Sequence, residues 1–250
     1  MRPLIFAANW KMHLGPEGAR RFLHTFLERH EALPDRETWF FPPAVALETV
    51  TRLTGDRRDI RAGAQNVHWE PKGAFTGELS VGMALEAGAQ AGLVGHSERR
   101  HVFGETDQET GWKVRALLES ELTPMLCVGE KLEQREAGET LGVVQRQLGA
   151  LDGLGSDGLA QIVVAYEPVW AIGTGKTATP ENASEVHAAI RAWFTERGVA
   201  PETTRVLYGG SVKPDNIHAL ISQPEIDGVL VGGASLDPAS WSEMVRVTLD

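Results

Sequence analysis

Apolar residues in this chain collect in short runs, and between the runs they recur with helical period. Leu4–Ala8, Thr38–Phe41, Ile60–Ala64, Ala91–Val94, Pro124–Val128, Ile162–Tyr166, Arg205–Tyr208 and Gly228–Val231 make eight runs. They are apolar at successive positions and do not alternate, which predicts strands covered on both faces in a parallel sheet. Between them, Ala19, Phe22, Leu23, Phe26 and Leu27 share one helical face, as do Val186, Ala189, Ile190, Trp193 and Phe194. The second of these helices has a clear start signal in Thr179-Pro180-Glu181, and the last segment starts in the same way at Asp237-Pro238.

Eight strands alternating with helices over 250 residues predict an α/β fold, a (β/α)8 barrel, with residues 1–250 forming one domain. A doubly wound sheet would usually carry a glycine-rich nucleotide fingerprint after its first strand, and Asn9-Trp10-Lys11-Met12 is not one. No linker, low-complexity tract or shift in composition divides the chain. A net charge of −10 gives no footprint for nucleic acid or an anionic membrane, so an anionic ligand must be held by local groups. The one cysteine, Cys127, excludes an internal disulfide and lies in an apolar run, where a core role is expected. No run is long enough to span a membrane, and the N-terminal one is too short for a signal peptide. A cytoplasmic protein is expected.

In such a barrel the reacting groups come from the C-terminal ends of the strands, so the polar residues that first follow each run are the candidates. The run ending at Tyr166 leads into Glu167 and Pro168, then into Val169-Trp170-Ala171-Ile172, and only then into Gly173-Thr174-Gly175-Lys176. Trp and Ile gain little in a solvated loop, so this stretch predicts a carboxylate with a lid that folds over it. Pro168 restrains one end and favours an extended Glu167. The Gly-Thr-Gly-Lys-Thr tail is not a nucleotide-binding P-loop, because Trp170 stands where that motif needs glycine.

Gly209-Gly210-Ser211 and Gly232-Gly233 follow the last two runs, where barrels often build a phosphate site. A single glycine pair would signify only a tight turn; two at adjacent strand ends, with Gly173 as a third possible donor, favour a phosphate cradle. His96 precedes a helix start at Ser97, and the positive end of a helix favours a neutral imidazole that can donate a hydrogen bond. Lys11, with Asn9, lies in the mouth and supplies a positive charge. Glu98 is either a partner behind these groups or a helix-capping acid, and Glu130 is less certain. A carboxylate base, a neutral histidine and a lysine suit proton abstraction beside a carbonyl, with the lid protecting a reactive enediolate from water.

The segments AANWKM (7–12), GHSERR (95–100), AYEPVWAIGTGKTA (165–178), YGGSV (208–212) and VGGASL (231–236) together closely resemble the triosephosphate isomerase family. They occur in order and span nearly the whole chain. The resemblance implies a TIM barrel that interconverts dihydroxyacetone phosphate and glyceraldehyde 3-phosphate, in glycolysis and gluconeogenesis, with no metal or organic cofactor. It implies that Glu167 is the base, that His96 shuttles a proton between two substrate oxygens, and that Lys11 and Asn9 bind substrate. It places the phosphate on Gly173, Ser211, Gly232 and Gly233, with Glu98 behind His96 and Lys11. The loop at 65–80 is similar to the family's dimer loop, with Thr76 reaching into a partner and Glu78 helping to order Arg99. One departure is His13, where many members have Asn. Against this, an epimerase would call for metal ligands and an aldolase for a Schiff-base Lys within a strand. A catalytically silent phosphosugar-binding barrel would need the glycines but not Glu167, His96 and Lys11 together.

Overall fold

A computed structural model of the chain describes residues 3–172 and 178–249. In order, the elements are β1 (Leu4–Asn9), α1 (Pro16–Arg29), β2 (Arg36–Phe41), α2 (Ala44–Thr54), β3 (Ile60–Ala64), α3 (Val81–Glu86), β4 (Ala91–Val94), α4 (Ser97–His101), α5 (Asp107–Glu119) and β5 (Thr123–Val128). There follow α6 (Leu132–Glu136), α7 (Thr140–Leu148), α8 (Ser156–Leu159), β6 (Val163–Tyr166), α9 (Pro180–Thr195), β7 (Arg205–Tyr208), α10 (Ile217–Ile221), β8 (Gly228–Val231) and α11 (Pro238–Val245). All eight strands are parallel, and β1 pairs with both β2 and β8, closing a (β/α)8 TIM barrel.

The apolar runs are explained by two separate cores. Residues facing outward, such as Phe6, Ala8, Phe40, Leu126, Val164 and Val206, pack under the helices. Their alternate neighbours Ile5, Ala7, Trp39, Phe41, Leu93, Met125, Cys127, Ala165, Leu207 and Leu230 fill the barrel. Each strand therefore buries both faces, and its sequence cannot alternate. The register sets Cys127 beside Ala165, Ala165 beside Leu207, and Ala7 beside Leu230, so these side chains fall in neighbouring layers. A Cβ on Gly63 would lie 2.5 Å from the Phe41 ring, so the bulk of β2 is accommodated by the lack of bulk on β3. The Cys127 thiol is fully buried, and burial, followed by the nearby Glu167 charge, pushes its pKa well up.

The expected helix starts are present. The Thr179 hydroxyl accepts from the Asn182 N–H at 3.2 Å, and the Asp237 carboxylate accepts from the Ser240 N–H at 2.8 Å. Strand ends differ by a residue or two from the runs. Asn9 belongs to β1 because it pairs in register with Phe41, and β2 begins at Arg36, whose polar side chain masks it as a strand residue. Among the described residues no helix is long and apolar enough to cross a membrane.

Candidate active site

Following the inward face of each strand past the barrel core leads directly to the mouth. Two residues beyond Ala7 is Asn9, beyond Ala165 is Glu167, beyond Leu207 is Gly209 and beyond Leu230 is Gly232. These residues, with Lys11, His96, Ile172, Ser211, Lys213 and Gly233, line one cavity of about 260 Å³. The structure thus brings together Asn9, Lys11, His96, Glu167, Ser211, Gly232 and Gly233 of the expected site residues. Gly173, the expected third phosphate donor, lies outside the described residues, as do 174–177 of the lid.

His96 reaches the mouth because Gly95 adopts φ +69, a left-handed conformation that breaks the strand alternation. Arg100 holds this corner, donating to the Gly95 carbonyl at 2.8 Å and the Cys127 carbonyl at 3.2 Å. As the N-cap of α4, His96 accepts the Glu98 N–H at Nδ1, 3.3 Å away. That bond needs an unprotonated Nδ1 and leaves the proton on Nε2, which faces Glu167 Oε1 at 3.0 Å. The other carboxylate oxygen accepts the Ser97 N–H at 2.8 Å.

Glu167 and His96 are both buried. Burial pushes the Glu167 carboxyl up, but His96, the Ser97 N–H and Lys11 more than offset this and hold it below the ordinary carboxylate value. Burial depresses His96, and Lys11 also depresses it, but the Glu167 carboxylate and then Glu98 outweigh them and raise its pKa. The helix-end effect expected to keep the ring neutral is therefore opposed while Glu167 stays against it. If the carboxylate moves to a substrate carbon, the chief raising influence leaves with it. Burial and Lys11 then favour the neutral Nε2–H ring that the Glu98 amide already selects.

Lys11 has φ +49, a strained backbone for a side chain with Cβ. The strain is held from two sides. Its N–H donates to Asn9 Oδ1 at 3.0 Å, and Gln65 Nε2 donates to its carbonyl at 2.8 Å. The ammonium pairs with Glu98 Oε1 at 2.7 Å, and Glu98 also lies in the first turn of α4, so both readings of that residue have a contact. The lysine stem passes over Gly232, where a Cβ would lie 3.1 Å from Lys11 Cε.

The glycine pairs do more than offer backbone to an anion. A Cβ on Gly209 would lie 2.8 Å from Glu167 Cγ, and one on Gly210 would strike the Tyr208 hydroxyl. The first pair makes room for the carboxylate and its hinge. In the second pair only Gly233 is open, since a Cβ there would meet nothing, whereas Gly232 lies under the Lys11 stem. Ile172, read as part of the lid, lines the cavity, and one charged lining residue was not legible as a candidate: Lys213, which reads as an ordinary solvated lysine. Glu130 was legible but unplaced. Its buried carboxylate accepts from the Tyr166 hydroxyl at 3.0 Å and the Trp170 indole at 2.9 Å, while Arg135 lies 3.6 Å away. It anchors the leading part of the lid and does not face the cavity. Thr76 and Glu78 are exposed, and within the chain Arg99 meets Glu105 at 3.8 Å and the Phe103 ring at 4.7 Å. Among the described residues no group of three His, Cys, Asp or Glu is placed to hold a metal ion.

A buried carboxylate against an imidazole, with an ammonium beside them, suits an isomerase, since one group can take a proton while the others hold the charge left behind. Comparison with known proteins narrows that class. The model of the triosephosphate isomerase family matches residues 4–248. The triosephosphate isomerase of Symbiobacterium thermophilum is 50% identical over 247 residues, covering 97% of this chain and 95% of the relative. Those of Roseiflexus sp. (strain RS-1) and Aquifex aeolicus are 48% and 47% identical, covering 98% of this chain and 98% and 99% of the relatives. The chain belongs to the triosephosphate isomerase family.

Proposed function

We propose that this protein interconverts dihydroxyacetone phosphate and D-glyceraldehyde 3-phosphate through an enediolate, the triose-phosphate step of glycolysis and gluconeogenesis, in the cytoplasm. The observation that carries the reading is the Glu167–His96 contact of 3.0 Å beside Lys11, in a cavity bounded by both glycine loops. Glu167 turns from the imidazole to the substrate, takes the proton from one carbon and returns it to the next. His96 donates its Nε2 proton to the oxygen that develops charge and recovers a proton from the neighbouring hydroxyl. Lys11 and Asn9 hold the substrate, with the ammonium opposing the negative charge of the intermediate. Backbone at Gly173, Ser211, Gly232 and Gly233 holds the phosphate. The closed lid keeps water off the enediolate and limits loss of its phosphate. A coupled assay with glyceraldehyde 3-phosphate tests this: an inactive wild type, or an undiminished Glu167→Gln variant, would sink the assignment. 2-Phosphoglycolate should inhibit competitively, and lack of competition would argue against the phosphate cradle.

The same reading includes a homodimer. Met12, Val102 and Phe103 are 94%, 72% and 66% exposed, a cost that a partner surface would remove. Beside the catalytic mouth is a second cavity of about 230 Å³, lined by Lys11, Gln65, His96, Glu98 and Arg99 among others. The tip of a partner's 65–80 loop, led by Thr76, would fit there, with Glu78 reaching Arg99. Sedimentation should give twice the chain mass, and a monomer at micromolar concentration would exclude the arrangement.

A further inference from the structure

We infer that Gln147, on the outer helix α7, is a positioning residue for Glu167; this rests on the isomerase reading and deepens it. β5 stops at Val128. Val128 and Glu130 both bond to the segment carrying the base: the Val128 carbonyl accepts the Glu167 N–H at 2.7 Å, and the Glu130 carbonyl accepts the Val169 N–H at 3.0 Å. Gly129 lies between these two anchors, pressed so closely on Glu167 that a Cβ would collide with the Glu167 carbonyl oxygen. Its own N–H and C=O therefore need partners on the far side, where no strand runs.

Gln147 supplies both. Its Oε1 accepts the Gly129 N–H at 2.7 Å, and its Nε2 donates to the Gly129 carbonyl at 3.1 Å. The side chain is 2% exposed, so neither bond has water as a substitute. A carboxamide has the donor and acceptor spacing of a peptide group, and here it stands in for a missing strand. It fixes the plane of the Gly129 peptide, the Gly129 peptide fixes the position of Glu167, and Gln147 itself touches no group that meets substrate. With the clamp released, Gly129 can rotate and the two flanking bonds can lengthen, which displaces the carboxylate from the reacting carbon.

Gln147→Met keeps length and volume but removes both polar atoms. Gln147→Glu keeps only the acceptor and bears the test if the methionine variant does not fold. Val144→Ala, a buried apolar position on the same helix with no hydrogen-bonding group to offer Gly129, is the control for a purely structural defect. Competent sites are counted by stoichiometric binding of 2-phosphoglycolate. Turnover per site should fall about 10- to 100-fold in Gln147→Met, while KM stays within about threefold, because misplacing a base by about an ångström acts on the transition state. Val144→Ala should lower the Tm yet keep turnover per site within about twofold of wild type. Unchanged turnover per site in the Gln147 variants, or an equal loss in Val144→Ala, would overturn the inference while the isomerase reading stands. A wild type inactive toward triose phosphates would overturn that reading and the inference with it.

Discussion

The two ends of the barrel carry similar charges and use them in opposite ways. At the bottom, where the strands begin, Arg191 is 2.9 Å from both Asp227 and Glu225 and also donates to the Thr204 carbonyl at 2.6 Å. Arg36 bonds the Val245 and Val247 carbonyls, and Arg61 meets Glu37 at 3.0 Å. These partners are backbone carbonyls and carboxylates at the starts of the strands, away from the cavity at the mouth. At the top, the same kinds of group meet on side chains that a ligand could displace: Glu167 against His96, and Lys11 against Glu98. There the chain accepts a left-handed Lys11 and packs glycines tightly around the carboxylate. A buried cation and carboxylate that cannot move are costly to break, and become chemistry when one can move.

The contrast can be broken at either end. The largest effect is expected at the top, where Glu167→Gln should reduce kcat by about 10²- to 10⁴-fold, the usual contribution of a positioned base. Thermal unfolding of that variant should stay close to wild type, and a large drop in Tm would mean that the carboxylate holds the mouth together as well. At the bottom the reverse is expected. Arg191→Met removes a buried guanidinium that bonds Asp227, Glu225 and the Thr204 carbonyl, and should cost about 3–5 kcal/mol in denaturant titration, with kcat per folded molecule unchanged.

Acid should find the bottom end before the top. His187 on α9 is fully buried, with Nδ1 3.1 Å from the Glu225 carbonyl, and burial lowers its pKa from 6.5 to about 3. The folded protein refuses a proton that the unfolded chain accepts below pH 6.5, so its contribution is complete above that pH and is lost as pH falls toward 3. Between pH 6.5 and about 5 the loss should reach about 2 kcal/mol, measured as the pH slope of urea midpoints, and His187→Gln should flatten it. A slope that the substitution leaves intact would assign the acid sensitivity elsewhere. The smallest effect is expected at the lid anchor. Trp170→Phe removes the bond to Glu130 and should cost about 0.5–1.5 kcal/mol, with a change in kcat smaller than that of Glu167→Gln.

The strands and the candidate residues at their ends were legible because both follow from local facts. A strand buried on two faces must be apolar throughout, and its last inward position must open into the mouth. What joins residues far apart in sequence was not legible. Glu130 reads as one more polar residue after a strand, and only the fold sets Tyr166, Trp170 and Arg135 around it. Gln147 reads as a polar residue on an amphipathic helix, though it is as buried as the core beside it. The paired glycines suggested an anion, and they do line the cavity. That the first pair also clears space for Glu167 and Tyr208 depends on contacts from a neighbouring strand.

Cys127 gives the inner layer a further use. It is the one sulfhydryl of the chain, is wholly enclosed, and has a pKa raised well beyond that of a free thiol. An alkylating reagent can reach it only when neighbouring strands separate. Its labelling rate in native buffer is therefore a built-in clock for barrel opening. Each chain is marked once and irreversibly, so the extent of labelling counts the rare excursions of the folded ensemble.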